Sequence, residues 1–309
     1  LGIRRAPSKS TLSYQNELRD SSIFRECYFR LFEYIGQQVS FRQCRFRFKI
    51  PVKLLDSTLI SLCMRLYDWA HYTHTKGTLK LHTLLDFNIL LPEFVYITDG
   101  KATDGKAASE VRILPHCIVV ADREYCDFSL LNYWDSMKVF FVVRHKNNLV
   151  YRRIEEHPLP EKRHQDILID ETIELERHKT KEKYPKRLRR IAVFNEEHGY
   201  TVELLTNNMC PAASSIAELY RSRWEIELFF RSLKQLFHIK SFVGTSRNAV
   251  EIQMWTALMT ILIFAYLKAI AGYNWHLSNL VHSLRLNTFT KISLDDWLNR
   301  PFSPPPNDS

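Results

Sequence analysis

The segment Cys117 to Asp122 (CIVVAD) constrains the fold most: it is a fully apolar run that ends in a carboxylate. A strand apolar on both faces needs cover on both, which fits a central parallel strand. After it, Asp127 to Trp134 reads as a helix and Val139 to Val143 (VFFVV) as the next strand. Upstream, Ile50 to Asp56 (IPVKLLD), Thr78 to Leu85 and Leu90 to Thr98 read as three strands, with a short helix at Thr103 to Arg112. Three neighbouring strands, then strands alternating with helices, predict an α/β fold: a mixed sheet covered by helices.

Between Arg144 and Asn208 the pattern changes. Gln165 to Glu176, Arg190 to Phe194 and Tyr200 to Leu205 alternate as antiparallel strands do, and a basic run, Lys179 to Arg190, sits among them. This is a β-rich insertion. From Ser214 to Phe237 the chain becomes strongly helical, and Ala249 to Ala271 gives another long helix. Residues 1–45 read as polar and helical, and the proline-rich stretch from Pro301 as disordered.

Some classes fall away. The most apolar stretch, Met254 to Ile270, is broken by Lys268 and short of the roughly 18 uninterrupted apolar residues of a membrane span, so we read it as a buried helix. The start carries no signal-peptide pattern. Leu1 rather than Met opens the chain, so we expect a further N-terminal portion. The six cysteines form no C-x-x-C pair and read as reduced, buried thiols of a cytosolic protein. A net charge of +9 favours a polyanionic partner, although charge alone leaves the partner open.

Asp56 and Asp122 both stand at predicted strand ends, where an open sheet exposes side chains to a crevice. Aspartate there is also a common turn starter. The helix around Glu227 shifts the balance. At about 100° per residue, Tyr220, Arg223, Glu227, Arg231 and Lys234 fall within an arc of about 80°. Ile226, Phe229, Phe230, Leu233, Leu236 and Phe237 take the other side. One carboxylate flanked by three cations and a phenol is a candidate site, although a solvated face of i,i+4 pairs has the same geometry.

Tyr220, Arg223, Glu227 and Lys234 match Y-x2-R-x3-E-x6-K within YRSRWEIELFFRSLKQ. This resembles the signature of DDE transposases of the bacterial insertion-sequence-four type. The similarity extends in order along Tyr14 to Ala271. LLDST at Leu54 to Thr58 resembles the family's first aspartate segment, and Trp69 to Asp86 the strand region after it. VADREY at Val120 to Tyr125 resembles the second aspartate segment, and LTNN at Leu205 to Asn208 the lead-in to the signature helix.

The resemblance implies a ribonuclease-H-like mixed sheet flanked by helices and interrupted by the β-rich insertion. The parts are then a helical segment, 1–45; the first part of the catalytic core, 46–145; the insertion, 146–208; the second part, 209–272; and a C-terminal tail, 273–309. It makes Asp56, Asp122 and Glu227 the catalytic, metal-holding triad, with Mg2+ or Mn2+, two ions, as cofactor. Tyr220, Arg223 and Lys234 become holders of transposon-end DNA. The expected partners are double-stranded DNA, both ends and target, and a second copy in a homodimer, with no membrane. The expected compartment is the bacterial cytoplasm, at the nucleoid. A noncatalytic DNA-binding remnant and a metal-dependent nuclease on the same core are the alternatives.

Other residues are secondary candidates. Arg231 extends the DNA-binding face, and Lys76 and Lys80 are phosphate contacts or members of a solvated basic loop. His82 and His116 read as structural before metal-binding, and Asp99 and Asp104 as runner-up ligands. Trp69 and Trp255 read as core. The run Lys179 to Arg190 is a DNA-tracking loop or an ordinary exposed one.

Overall fold

A computed structural model of the chain describes residues 7–38, 50–62, 77–100, 104–145, 149–159, 166–196, 199–236, 243–287 and 293–301. The helices are α1 (Lys9–Leu18), α2 (Ser21–Gln38), α3 (Asp104–Ala108), α4 (Phe128–Ser136), α5 (His178–Lys183), α6 (Ala213–Arg221), α7 (Trp224–Leu236), α8 (Arg247–Ile270), α9 (Leu277–Asn287) and α10 (Leu294–Asn299). The strands are β1 (Val52–Leu62), β2 (Gly77–Asp86), β3 (Leu91–Asp99), β4 (Ile118–Ala121), β5 (Phe140–Arg144), β6 (Tyr151–Glu156), β7 (Ile167–Leu175), β8 (Leu188–Asn195) and β9 (Tyr200–Thr206). The chain divides into two compact units, residues 44–61 with 70–229, and residues 1–43 with 62–69 and 230–309.

The first unit holds one nine-stranded sheet in the order β3-β2-β1-β4-β5-β9-β8-β7-β6. β1, β4 and β5 run parallel, and β2 and β3 pair antiparallel. These five strands with their helices are the mixed, helix-covered part of the sheet expected upstream of the insertion. The insertion strands pair antiparallel and join through β9 to β5, so they extend the same sheet. All four β4 residues are fully buried, as a central strand covered on both faces requires. Helix α4 covers this region because Leu130, Leu131 and Trp134 lie on one side of it and pack with Val119, Phe141 and Val143. Its start is fixed by Asp127, which accepts from the Ser129 and Leu130 amides at 2.9 and 3.1 Å.

Three expectations change here. Asp56 does not end its strand: β1 continues to Leu62 beside β2, while the shorter β4 stops at Ala121. The signature helix is two helices, parted at Ser222 and Arg223. The Ser222 hydroxyl donates to the Leu219 carbonyl at 2.6 Å, and the Arg223 and Glu225 amides bond three residues back. That tightened turn interrupts the α-helical ladder. Thirdly, the basic run is no uniform exposed loop, because Arg189 and Arg190 lie buried on β8. Arg189 grips Asp170 of β7 through two bonds of 2.7 and 2.6 Å, and Arg190 pairs with Glu171 and Glu203.

Arg189 also donates to the Met209 and Pro211 carbonyls at 3.2 and 2.6 Å, tying the insertion to the segment that enters α6. Removing one member strands a buried charge, which costs about 3–5 kcal/mol. Arg189→Ala is therefore expected to lower unfolding free energy by that amount in urea denaturation. A loss under about 1 kcal/mol, the range of an exposed pair, would contradict this role.

The second unit is helical. Trp255 of α8 is buried against Tyr28 and Phe29 of α2, with ring centroids 5.7 and 5.9 Å apart, so it is core, as read. Helix α8 is long and apolar enough to cross a membrane, yet Met254, Leu258, Ile261 and Leu262 are buried within the protein. The region read as a tail contains α9 and α10, whose Leu280, Trp297 and Leu298 cluster with Trp275 and Leu267. Among the described cysteines Cys117 is buried, but Cys27 and Cys210 are exposed, against the expectation of buried thiols.

Candidate active site

Parallel pairing sets Leu54 opposite Val120 and Leu55 opposite Ala121. The next residues are Asp56 and Asp122, so the register carries both aspartates to the same level, about one strand spacing of 5 Å apart in the backbone. Because β4 ends at that level, Asp56 has no strand neighbour on that side. Asp122 begins a 3-10 turn, Arg123–Tyr125, in extended conformation, but its side chain makes no capping bond to that turn. The turn-starter reading therefore fails for its carboxylate. Oδ1 instead accepts from the Tyr220 hydroxyl on α6 at 3.2 Å.

Arg223 sits in the break between α6 and α7. Its Nη1 donates to Asp56 Oδ2 at 3.1 Å and its Nη2 to Glu227 Oε1 at 2.6 Å. Its guanidinium carbon lies 5.9 Å from the Tyr220 ring centroid. Among the described residues its Nε is buried with no hydrogen bond. The fold thus gathers Asp56, Asp122, Glu227, Tyr220 and Arg223. Ile226, Phe229, Phe230 and Leu233 are buried, as the helical wheel predicts. Arg231 and Lys234 lie four and seven residues beyond Glu227 on α7, exposed and half-buried respectively.

Burial pushes the Asp56 carboxyl up to about 6, with Asp122 and Glu227 adding repulsion. The Ser57 amide, which donates to Asp56 Oδ1 at 2.7 Å, and Arg223 oppose the rise. Burial lowers the Arg223 pKa, but the neighbouring Tyr220, Asp56 and Glu227 outweigh it and hold the pKa above its ordinary value. Folding raises the Asp56 pKa above its unfolded 3.8. Its contribution to stability is therefore complete below about pH 4 and lost as pH rises through about 6. The rise corresponds to roughly 3 kcal/mol. In chelator at pH 8, Asp56→Asn is expected to melt above the parent protein, and the two should converge near pH 4. A variant that tracks the parent at every pH would contradict the burial of an unfavourable charge here.

Among the described residues, no three or more His, Cys, Asp or Glu stand in a ready metal-ligand cluster. The chemistry of the donors nonetheless fits a divalent ion: three hard carboxylates, one driven up in pKa by burial and by the other two. Alongside lies a cavity of about 600 Å³, lined by Arg144, Tyr200, Tyr220, Arg221, Arg223 and Trp224 among others. Arg144 and Tyr200 in its wall stack 5.4 Å apart, and Trp224 is half exposed. It joins insertion strands to α6 and the start of α7.

The remaining candidates scatter. His116 is exposed at the far end of β4 from Asp122. His82 is buried and bonded to Thr98 at 2.9 Å, a structural role. Lys80 pairs with Asp104 at 2.7 Å, and Asp99 is exposed at the end of β3. Lys76 and Trp69 lie outside the described residues. Sequence reading missed Ser57 and Tyr125, which contact both aspartate segments and Asp104; their place in LLDST and VADREY was the available signal.

An aspartate within β1, a second just past the end of the adjacent parallel β4 and a glutamate on a later helix stand in the order expected of a three-carboxylate polynucleotidyl transferase. Comparison with known sequences gives the family. Residues 47–263 match the transposase DDE domain family. A Sinorhizobium fredii protein named as a transposase, y4zB, is 31% identical over 271 residues, covering 87% of this chain and 73% of its own. A Geobacillus stearothermophilus protein named as a transposase for insertion sequence element IS5377 is 27% identical, covering 72% and 58%. A Synechocystis protein named as a transposase for element IS4SA is 24% identical, covering 94% and 80%. A cryo-EM structure of a piggyBac transposase synaptic complex with hairpin DNA aligns with TM-score 0.42 and 10% identity over 83% of this chain and 59% of that one. The chain belongs to the DDE transposases.

Proposed function

We propose that Asp56, Asp122 and Glu227 form the catalytic triad of a cut-and-paste reaction at the ends of a DNA element. The observation that carries this reading is Arg223, which bonds Asp56 and Glu227 together while Tyr220, one turn earlier, bonds Asp122. A solvated helix face would not send its arginine to a buried aspartate of another element. The three carboxylates would hold divalent magnesium or manganese, two ions by the usual logic of in-line displacement, which activate the attacking oxygen and stabilise the leaving one.

The chain's own groups account for the rest. Arg223 neutralises two of the carboxylates and offers its fork to a nonbridging phosphate oxygen when DNA enters. Tyr220 orients Asp122 by donating to one oxygen and leaving the other to the reaction. The cations and aromatic rings of the adjacent cavity suit a phosphate backbone and the faces of its bases. Water attacks first and frees a 3′-hydroxyl, which then attacks a phosphodiester of the target. Two ends cut together call for two copies of the chain, and bacterial relatives suit action in the cytoplasm on nucleoid DNA.

The test is a cleavage and joining assay on the element's own ends in magnesium. Cleaved ends followed by joined product are expected. Cleavage without joining supports a nuclease instead, and tight binding without cleavage a noncatalytic remnant.

A further inference from the structure

Asp104 at the start of α3 is surrounded by donors from three other elements. Its Oδ2 accepts from Lys80 Nζ of β2 at 2.7 Å. Its Oδ1 accepts from the Ser57 hydroxyl of β1 at 2.6 Å and from the Tyr125 hydroxyl at 3.3 Å. His82 Nδ1 stands 3.4 Å from the same oxygen. Burial works to raise this carboxyl's pKa, but the neighbouring His82 and the bonds from Lys80 and Ser57 outweigh it and hold it well below the usual carboxylate range. Asp104 is ionised throughout the working range.

The donors have one thing in common. Ser57 follows Asp56 and gives its amide to Asp56 Oδ1 at 2.7 Å. Tyr125 closes the turn that Asp122 opens, its amide bonding the Asp122 carbonyl at 3.0 Å. One largely buried anion therefore accepts a bond from a residue of each aspartate segment. We propose that Asp104 is a positioning residue that fixes the spacing of Asp56 and Asp122 through Ser57 and Tyr125, and so sets how tightly the pair holds a divalent cation. This rests on the triad reading of Asp56 and Asp122. Losing groups that orient ligands costs about 10–100-fold in metal affinity or activity. A merely structural Lys80–Asp104 pair predicts no effect from trimming the Ser57 hydroxyl, since that pair would survive.

The experiment uses the full chain with Ser57→Ala, Ser57→Thr, Tyr125→Phe, Asp104→Asn and Asp56→Asn. It reads Mn2+ affinity by calorimetry, single-turnover cleavage at saturating end DNA, and end-DNA affinity. Ser57→Ala is expected to weaken Mn2+ binding and slow cleavage by about tenfold, with DNA affinity unchanged, and Ser57→Thr to restore both. Asp104→Asn should do the same or worse; if it fails to fold, Ser57→Ala and Tyr125→Phe still decide. The proposal is overturned if both of these stay within threefold of the parent in Mn2+ affinity and rate, or if threonine fails to rescue. Asp56→Asn separates the failures. If it still cleaves, the triad falls and the proposal with it; if it is inactive while Ser57→Ala and Tyr125→Phe both match the parent, only the positioning role falls.

Discussion

Asp56→Asn, Asp122→Asn and Glu227→Gln are each expected to reduce strand cleavage by at least about 10³-fold, a loss of roughly 4 kcal/mol of transition-state stabilisation. Each change keeps the side chain's shape and removes one anionic oxygen pair. Phosphoryl transfer builds charge on oxygens at both ends of the in-line path, and the countercharge there depends on how many carboxylates hold the ions. DNA binding should persist, because it is carried by cations, and removing an acid from a basic protein reduces repulsion of phosphate. Cleavage and end binding measured on the same preparations check both halves. A variant cleaving within tenfold of the parent removes its residue from the triad.

Arg223→Ala carries the second large effect. The guanidinium reaches two carboxylates at once, 3.1 Å from Asp56 and 2.6 Å from Glu227. Without it, Asp56 and Glu227 lose the cation they share, and the incoming phosphate loses a fork of donors. We expect end-DNA affinity to fall, its salt dependence to flatten by about one unit of slope, and cleavage to drop about 10²-fold. Arg223→Lys should not restore cleavage, since a compact ammonium on a flexible stem does not reproduce the planar fork of the guanidinium. Lys234→Ala should flatten the salt slope by about one unit with a smaller loss of cleavage. Unchanged slopes for both variants would return this helix to a solvated surface.

The legible parts of the fold were those written in local pattern. CIVVAD and VFFVV announced two central strands because an apolar residue at every position has few other uses. The alternating stretches after Gln165 announced the insertion, though their joining to β5 through β9 depended on pairing between distant segments. The break between α6 and α7 was hidden, because neither glycine nor proline marks it; a serine hydroxyl competing for a carbonyl makes it. The basic run looked exposed because its counterions, Asp170 and Glu171, lie 19 residues earlier.

The site followed the same rule. Glu227, Arg223 and Tyr220 lie within eight residues and were visible as a group, whereas their pairing with Asp56 and Asp122 spans 167 and 98 residues. Asp104 stood open as a ligand because its partners, Lys80 and Ser57, are 24 and 47 residues away. The LTNN segment shows why a motif can matter without touching substrate. Asn207 bonds Asp135, the Val139 carbonyl and the Phe141 amide, and Asn208 accepts from the Cys210 amide, together shaping the approach to α6.

The most direct measurement is anomalous diffraction from crystals of the chain grown with Mn2+ and cleaved element-end DNA. The account predicts manganese peaks about 3.5–4 Å apart, with Asp56, Asp122 and Glu227 as the protein ligands and the Arg223 fork turned toward phosphate. Manganese bound elsewhere, or Arg223 still bridging Asp56 and Glu227 with DNA seated and no peak between the carboxylates, would contradict it.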